Sequence, residues 1–400
     1  MAASSSSPAE TVDVAVVGAG LAGLAAALGF VRAGFSVICI GGAERPAPGR
    51  TVALFGVSLD FLETLGILGR IEAAAAPMRT LRIVDATGSL FASRPVAFRA
   101  SEIGRDAFGL NVENAILASI LAEALPDAAR WTCEVVDFDF AAEGATLRAI
   151  DGRSLSAKLV VGADGRASPT RKAAGIDMSQ SRFAQSALTL LLRHSRSHED
   201  ASTEFHTREG PFTLVPLPGA AGAPHRSSLV WLMRNASAER RRLLDDAALA
   251  GEIRAQSQAI LGEVEIEGGR GLFPMTVQRV AAVTARRVAL VGDAAHAFPP
   301  IGAQGLNLGL RDVKAIVKTA KQARDEGADI GGEPALRRYA VARRPDIAMR
   351  TLAIGAVNLS LLTPFAPVDM ARGLGLAALA HLAPLRRAAM REGLNPFLAR

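Results

Sequence analysis

The segment Gly18-Ala19-Gly20-Leu21-Ala22-Gly23 follows the apolar run Val12–Val17 and opens an Ala/Leu-rich stretch, and it constrains the fold more than any other part of the chain. Strand, glycine turn and helix in that order are the context that a dinucleotide fingerprint requires. Gly18 permits the tight turn, Gly20 lets the backbone approach a pyrophosphate, and Gly23 lets the helix pack on the strand. Taken alone, the segment is equally a tight strand-to-helix turn or a nucleotide site of unspecified kind. Its surroundings extend it to a Rossmann opening: strand Val12–Val17, a helix through about Ala33, and strand Phe35–Ile40.

Two more glycine-centred segments follow strand-like runs far downstream. Lys158–Val161 runs into Gly162-Ala163-Asp164-Gly165, and Arg287–Val291 runs into Gly292-Asp293-Ala294-Ala295-His296. A carboxylate in such a turn can accept hydrogen bonds from ribose hydroxyls. After the third segment a Pro/Gly-rich loop leads into Leu306–Arg324, which has helical periodicity; a helix N-terminus there would stabilise negative charge gained by a ring on reduction. The three segments in this order indicate a flavin.

Between them, residues 51–76 are predicted helical from Leu54, Leu59, Leu62, Leu65 and Leu68, and Asn114–Leu125 is predicted as another helix. Leu81–Val84, Leu90–Phe98 and the hairpin-like Trp131–Ile150 have strand character. Residues 183–275 are predicted β-rich, with short runs at Ala187–Leu192, Phe212–Pro216 and Ser228–Met233. The fold class is therefore α/β: a Rossmann-type domain with an inserted β-rich domain and a helical C-terminal segment. The predicted division is a tail at 1–10, a discontinuous cofactor domain at 11–75, 100–177 and 281–345, a substrate domain at 76–99 and 178–280, and a C-terminal segment at 346–400.

A chain of 400 residues, half of them apolar, can bury the core of a large enzyme. No run approaches eighteen uninterrupted apolar residues, and the serine-rich start lacks the basic and apolar regions of a signal peptide, so a cytoplasmic protein is expected. Cys39 and Cys133 are too few for a disulfide framework or a cysteine-built metal site, and no metal is expected. Residues 341–400 carry eight arginines against three acids, interleaved with apolar stretches. That pattern suits an anionic membrane surface and equally a pair of amphipathic helices packed on the body. Sparse aromatic residues and the lack of a dense basic block argue against nucleic acid.

The order GxGxxG, GADGxxSxxR, GDAAHxxxPxxxQGxNxGxxD resembles the FAD-dependent aromatic monooxygenases of the p-hydroxybenzoate hydroxylase type. Within that group, Arg50-Thr51-Val52-Ala53-Leu54, Leu65-Gly66, Val112-Glu113-Asn114, Val215-Pro216-Leu217-Pro218 and Gln304 through Asp312 are similar to the ubiquinone-biosynthesis hydroxylases, over about residues 11–390. The resemblance implies FAD held by Gly18, Gly20, Gly23, Arg50, Asn114, Asp164, Gly165, Gly292, Asp293, Gly302, Ala303, Gly305 and Asn307. Asp293 would hold the ribityl chain, Gly302 to Asn307 would lie along the ring, Gln304 and Asn307 would make polar contacts there, and Pro299 would shape its face. His296 is weighed as a base against a structural or flavin-contact role, and Trp231 and Phe212 as pocket lining against ordinary sheet packing.

The implied reaction has two halves. NADPH, NADH or another donor reduces the flavin; dioxygen then gives a flavin hydroperoxide that hydroxylates the ring of a polyprenylated phenol. A substrate with an isoprenoid tail stays in the bilayer, which shifts the reading of residues 346–400 towards docking on the inner face of the membrane or on a ubiquinone-biosynthesis complex, through arginines such as Arg372, Arg386 and Arg387. Three departures stand out. Gly41 occupies the place of the acid that usually ends the second Rossmann strand, with Glu44 as a substitute; Pro48 replaces an acid before Arg50; and Gly302-Ala303 inverts the usual order. The rival readings are a hydroxylase of a soluble phenol or polyketide and a non-catalytic FAD-binding scaffold; a flavin halogenase is disfavoured by the lack of a Trp-x-Trp pair.

Overall fold

The computed structural model describes residues 10–42, 49–88, 94–298, 304–362 and 366–394. Its first sheet is built on Glu10–Val17 (β1), which pairs in parallel with Val37–Ile40 (β2) on one side and Ser154–Gly162 (β11) on the other. Arg130–Trp131 (β8) extends the sheet beyond β2; Val288–Leu290 (β18) and Thr284–Ala285 (β17) extend it beyond β11. An antiparallel hairpin, Val135–Phe140 (β9) and Ala145–Ala149 (β10), joins through β11. β1 is covered on both faces, as central parallel strands are. Val14 and Val16 meet a core that includes Leu21–Arg32 (α1), Asn114–Ala124 (α4) and Gln304–Asp325 (α8), while Ala15 and Val17 meet Trp131, Leu147 and Leu155.

The second sheet runs His296–Ala297 (β19), Val264–Val280 (β16), Met178–His194 (β12), Arg226–Arg234 (β15), Gly210–Leu217 (β14), Ala201–Thr207 (β13), Thr80–Asp85 (β5), Val96–Arg99 (β6). Its two faces have different partners, because side chains alternate along each strand. Leu188, Leu190, Phe212, Leu214 and Trp231 pack on the helices Asn235–Leu243 (α6) and Asp246–Gln256 (α7). Ala187, Leu232 and Met275 face Phe298 and Leu308 of the first domain.

A third sheet, Thr51–Phe55 (β3), Gly109–Glu113 (β7) and Ala76–Met78 (β4), lies between the two. It makes the junction: Thr51 Oγ1 donates to Ser228 Oγ at 2.8 Å, Asn111 Nδ2 to the Pro216 carbonyl at 2.8 Å, and buried Arg226 bridges Glu113 and Glu267. Gly56–Thr64 (α2) and Leu68–Glu72 (α3) follow β3.

Glu333–Leu362 (α9), Ala366–His381 (α10) and Ala383–Leu394 (α11) close the chain. Leu376, Met390 and Leu394 pack on Val96, Phe98 and Phe108, so α10 and α11 cover the edge strand β6.

Two local expectations change. The predicted helix over 51–76 is a strand followed by two short helices, because Thr51 to Phe55 pair in register with Glu113 to Gly109. The stretch read as β-rich contains α6 and α7, with Asp245 capping α7 by accepting the Ala248 N–H at 2.7 Å.

Candidate active site

The three glycine segments meet at the ends of β1, β11 and β18. A Cβ on Gly18, whose φ is +109°, would lie 2.4 Å from the Ala163 carbonyl oxygen, and one on Gly23 would lie 1.8 Å from the Gly18 oxygen. Both positions therefore admit only glycine. Gly20 is the N-cap of α1 and provides no side-chain cap, which leaves the first N–H groups of that helix available to an anion. The third segment packs on the first: a Cβ on Gly292 would lie 3.1 Å from the Ala22 Cβ, and α8 comes close enough that one on Gly309 would lie 3.2 Å from Gly292 Cα.

The two motif aspartates do different work. Asp293 is half-exposed, and its Oδ2 accepts from Arg166 Nε at 3.2 Å, which joins the second motif to the third. Asp164 is committed within its own loop: Ser168 Oγ donates to Oδ1, and the Thr170 N–H donates to Oδ2 at 2.8 Å. Ser168 also caps Pro169–Ala173 (α5) by accepting the Arg171 N–H. Asp164 thereby builds the loop against which Gly18 packs. Gly165 stands in that loop with φ +75°. Arg171, buried, ties the loop to the third motif by donating to the Ala294 carbonyl at 3.0 Å and the Arg166 carbonyl at 2.9 Å.

Asn307 makes a contact of its own with the intermediate sheet. Its Oδ1 accepts the Phe55 N–H at 3.0 Å and its Nδ2 donates to the Ala53 carbonyl at 2.7 Å, so the amide clamps α8 to β3. A side chain bound at both ends to backbone positions the helix. Gln304 and Gly305 open α8. Pro299, Gly302 and Ala303 lie outside the described residues, as do Glu44 and Pro48. Arg50 and Asn114 come together across the β3–β7 pair, where the Arg50 carbonyl accepts the Asn114 N–H at 3.1 Å. The Arg50 guanidinium lies over the Phe273 ring at 5.2 Å, and Asn114 is buried.

His296 belongs to a buried ion network and is not a free base. Its Nε2 meets Asp312 Oδ2 at 2.6 Å, and its ring stacks on Phe298. Asp312, fully buried, also accepts the Gly292 N–H at 3.0 Å and Arg343 Nε at 2.7 Å. Burial alone would raise its pKa, but the charges of His296 and Arg343 and their hydrogen bonds outweigh it and hold the carboxyl below its ordinary value. Arg343 also pairs with Asp346, which pairs with Arg311; burial brings Arg311 down to about 10, with Asp346 opposing. Tyr339 Oη donates to the Leu290 carbonyl at 2.7 Å. The third motif is thus wired to α9. Asp312 was visible at the end of its motif; Tyr339 and Arg343 carried no sequence signal, because their roles depend on where α9 packs.

Position 41 explains one departure. A Cβ there would lie 2.5 Å from the Ala19 nitrogen, so the end of β2 passes the glycine turn with no room for a side chain. Trp231 and Phe212 contact each other edge-on at 5.0 Å in the core under α6 and α7, on the face turned away from the motifs. They are packing residues. Arg386 corrects the docking expectation: it is paired with Glu102 and donates to the Leu379 and Ala380 carbonyls, inside the fold.

The residues fit FAD. The uncapped start of α1 suits the pyrophosphate, the half-exposed Asp293 suits ribityl hydroxyls, and the start of α8 faces the same junction. A split Rossmann domain with these motifs, closed by an inserted sheet, defines an FAD-dependent aromatic-ring monooxygenase of the p-hydroxybenzoate hydroxylase type.

The chain belongs to the FAD binding domain family, whose model matches residues 11–348. It is 32% identical to ubiquinone hydroxylase UbiL of Rhodospirillum rubrum, across 96% of this chain and 90% of that one. It is 30% identical to the 3-demethoxyubiquinol 3-hydroxylase of Escherichia coli, across 96% and 99%. Among solved structures, p-nitrophenol 4-monooxygenase PnpA of Pseudomonas putida shares the fold with a TM-score of 0.77 at 20% identity, covering 96% of this chain and 99% of that one.

Proposed function

We propose that this enzyme hydroxylates the aromatic ring of a polyprenylated phenol in ubiquinone biosynthesis, with a reduced nicotinamide as electron donor. The observation that carries the reading is the near full-length similarity, at 30% identity or more, to two ubiquinone-pathway hydroxylases, joined to glycine motifs whose close packing is intact in this chain. FAD, when bound, supplies the two-electron chemistry and the activation of dioxygen. The chain's own residues arrange the rest. Ala187, Leu232, Met275, Phe298 and Leu308 form an apolar wall where the inserted sheet meets the third motif, which excludes water from the reacting ring. The Asn307 clamp and the Asp312 network hold α8 and the third motif in register, and the N-terminal dipole of α8 favours negative charge on a reduced ring.

Access to a bilayer substrate is assigned to the C-terminal helices. Leu374 on α10, Leu385 on α11 and Leu382 between the two helices are exposed, as are Arg387 and Arg391 on α11, a combination that suits an anionic interface. No helix among the described residues is long and apolar enough to cross a membrane, so the proposed attachment is peripheral.

The test supplies FAD-loaded enzyme and reduced nicotinamide with a polyprenylated phenol in anionic liposomes, or with small soluble phenols. Ring-hydroxylated lipid product formed in step with oxygen consumption is expected. Efficient turnover of the soluble phenols alone would favour the catabolic or tailoring reading, and bound FAD without consumption of reductant on any substrate would favour the scaffold. Converting Arg387 and Arg391 to glutamate is expected to lower liposome sedimentation while FAD content stays parental; unchanged sedimentation would reject the docking role.

A further inference from the structure

The inserted sheet carries a cavity on the face turned away from the glycine motifs. It encloses about 250 Å³ beside the core under α7. Leu214, Ile260 and Leu261 provide apolar wall, Thr203 and Ser227 provide hydroxyls, and Arg82 and Arg196 provide guanidinium groups. The face is fixed by alternation: Leu214 points to α7, while Val215, its neighbour in β14, packs on Ala53 and Met78 of the intermediate sheet.

The two arginines of the lining differ from the arginines that are paired with acids. Buried Arg226 and Arg343 each meet two carboxylates, and exposed arginines such as Arg70, Arg148 and Arg338 have one. Among the described residues Arg82 has no carboxylate within ion-pair distance, and the Arg196 guanidinium donates to the Ala259 carbonyl at 3.5 Å. The acid in the lining is Glu199, on the exposed rim, so the cavity keeps a net positive charge.

The rim is ordered despite unusual backbone. Glu199 and Asp200 have φ of +52° and +53°, a left-handed pair that is uncommon for residues other than glycine. The surrounding bonds hold them there: Ser197 Oγ accepts the Glu199 N–H at 3.1 Å, His198 Nδ1 accepts the Asp200 N–H at 3.1 Å, and the Asp200 carbonyl accepts the Arg79 and Thr80 N–H groups. His198 Nε2 donates to the Leu217 carbonyl at 3.2 Å. Local strain maintained by several bonds is a common feature of ligand sites.

We infer that this cavity binds a small carboxylic acid with an apolar body, its carboxylate meeting Arg82 and Arg196 and its body resting on Leu214, Ile260 and Leu261. The ligand is an effector and not the substrate of oxygen transfer, since a β-sheet separates the cavity from the third motif. A phosphate would satisfy the guanidinium groups but leave the apolar wall in contact with water; an uncharged aromatic would do the reverse.

Benzoate is the probe, titrated calorimetrically into FAD-loaded enzyme, with inorganic phosphate and benzyl alcohol in parallel and the visible flavin spectrum recorded. One benzoate per chain is expected to bind saturably, more tightly than either comparison compound, with the flavin spectrum unchanged. Arg196→Gln, at an exposed position, and Arg82→Gln are each expected to weaken benzoate binding roughly tenfold or more while thermal unfolding stays parental. Absence of saturable benzoate binding overturns the inference. So does binding that survives Arg196→Gln and Arg82→Gln, or that perturbs the flavin spectrum, since either places the ligand elsewhere. If Arg82→Gln does not fold, Arg196→Gln alone decides.

Discussion

Asp164 and Asp293 follow the same strand-then-glycine pattern in sequence, yet Asp164 is bonded within its own loop while Asp293 meets Arg166 of the neighbouring motif. Its partner Arg166 is also half-exposed, and such pairs contribute at most about 1 kcal/mol to folding. Asp293→Ala is therefore expected to lower FAD affinity at least tenfold while the urea midpoint of the cofactor-free protein barely moves. Equilibrium dialysis with FAD and a denaturation curve check the two halves, and parental FAD affinity would reject the ribityl assignment. Gly41 gives a prediction of opposite sense. Introducing the usual acid, Gly41→Asp, places a Cβ 2.5 Å from the Ala19 nitrogen, so it is expected to destabilise the domain by roughly 1–3 kcal/mol and weaken FAD binding. Tighter FAD binding in that variant would mean that the ribose has lost a partner the site can still accommodate. The glycine requirements were legible in the sequence because they follow from the turn itself. The commitment of Asp164 to Ser168 and Thr170 was not, because a carboxylate in a motif does not disclose which donors its loop will fold towards it.

At the scale of elements, α8 shows how far periodicity carries. Its length was evident from Leu306–Arg324, but what fixes its N-terminus is the Asn307 amide on the backbone of β3, more than 250 residues earlier in sequence. Removing that amide leaves the Phe55 N–H and the Ala53 carbonyl without it in a buried place. Asn307→Ala is expected to cost about 2 kcal/mol or more in urea unfolding and to speed FAD release, with Asn307→Asp intermediate because it keeps the acceptor for Phe55. An alanine variant with parental stability would show that the clamp is dispensable. The same long-range pairing explains the misreading of 51–55: leucines at 54, 59, 62 and 65 suggest one helix, and only register with β7 separates Leu54 from the rest. α6 and α7 carried a local signal, Asp245 three residues before Ala248, that an alternation-based reading of 183–275 passes over.

For the whole molecule, paired carboxylates set the response to acid. Asp312, Glu267 and Glu252 have pKa values held below ordinary. Burial is outweighed by His296 and Arg343 at the first, while Arg226 leads at the second and Arg240 with Arg241 at the third. A depressed folded pKa contributes stability that is fully present above the unfolded value and lost as pH falls through the folded one. Thermal stability is therefore expected to be nearly flat above about pH 5 and to fall steeply below about pH 4. Asp312→Asn is expected to shrink that acid-dependent part, which melting curves across pH would show; an unchanged slope would contradict it. The junction with the intermediate sheet is part of this response through Glu267, which holds the Arg226 that also meets Glu113 of β7. That junction could not be read from sequence, whereas the Rossmann opening and the inserted sheet could, because each strand run announces itself locally. The C-terminal helices were legible as helices, but the inward turn of Arg386 towards Glu102 was not.

The claim that this enzyme hydroxylates a polyprenylated phenol is tested most directly by deleting its gene in the host and measuring quinone intermediates by mass spectrometry, with complementation by the parent and by Asp293→Ala. The expected result is loss of ubiquinone and accumulation of a polyprenylated precursor that lacks ring oxygen, reversed by the parent gene and poorly by the variant. Normal ubiquinone with no such precursor in the deletion strain would contradict the account.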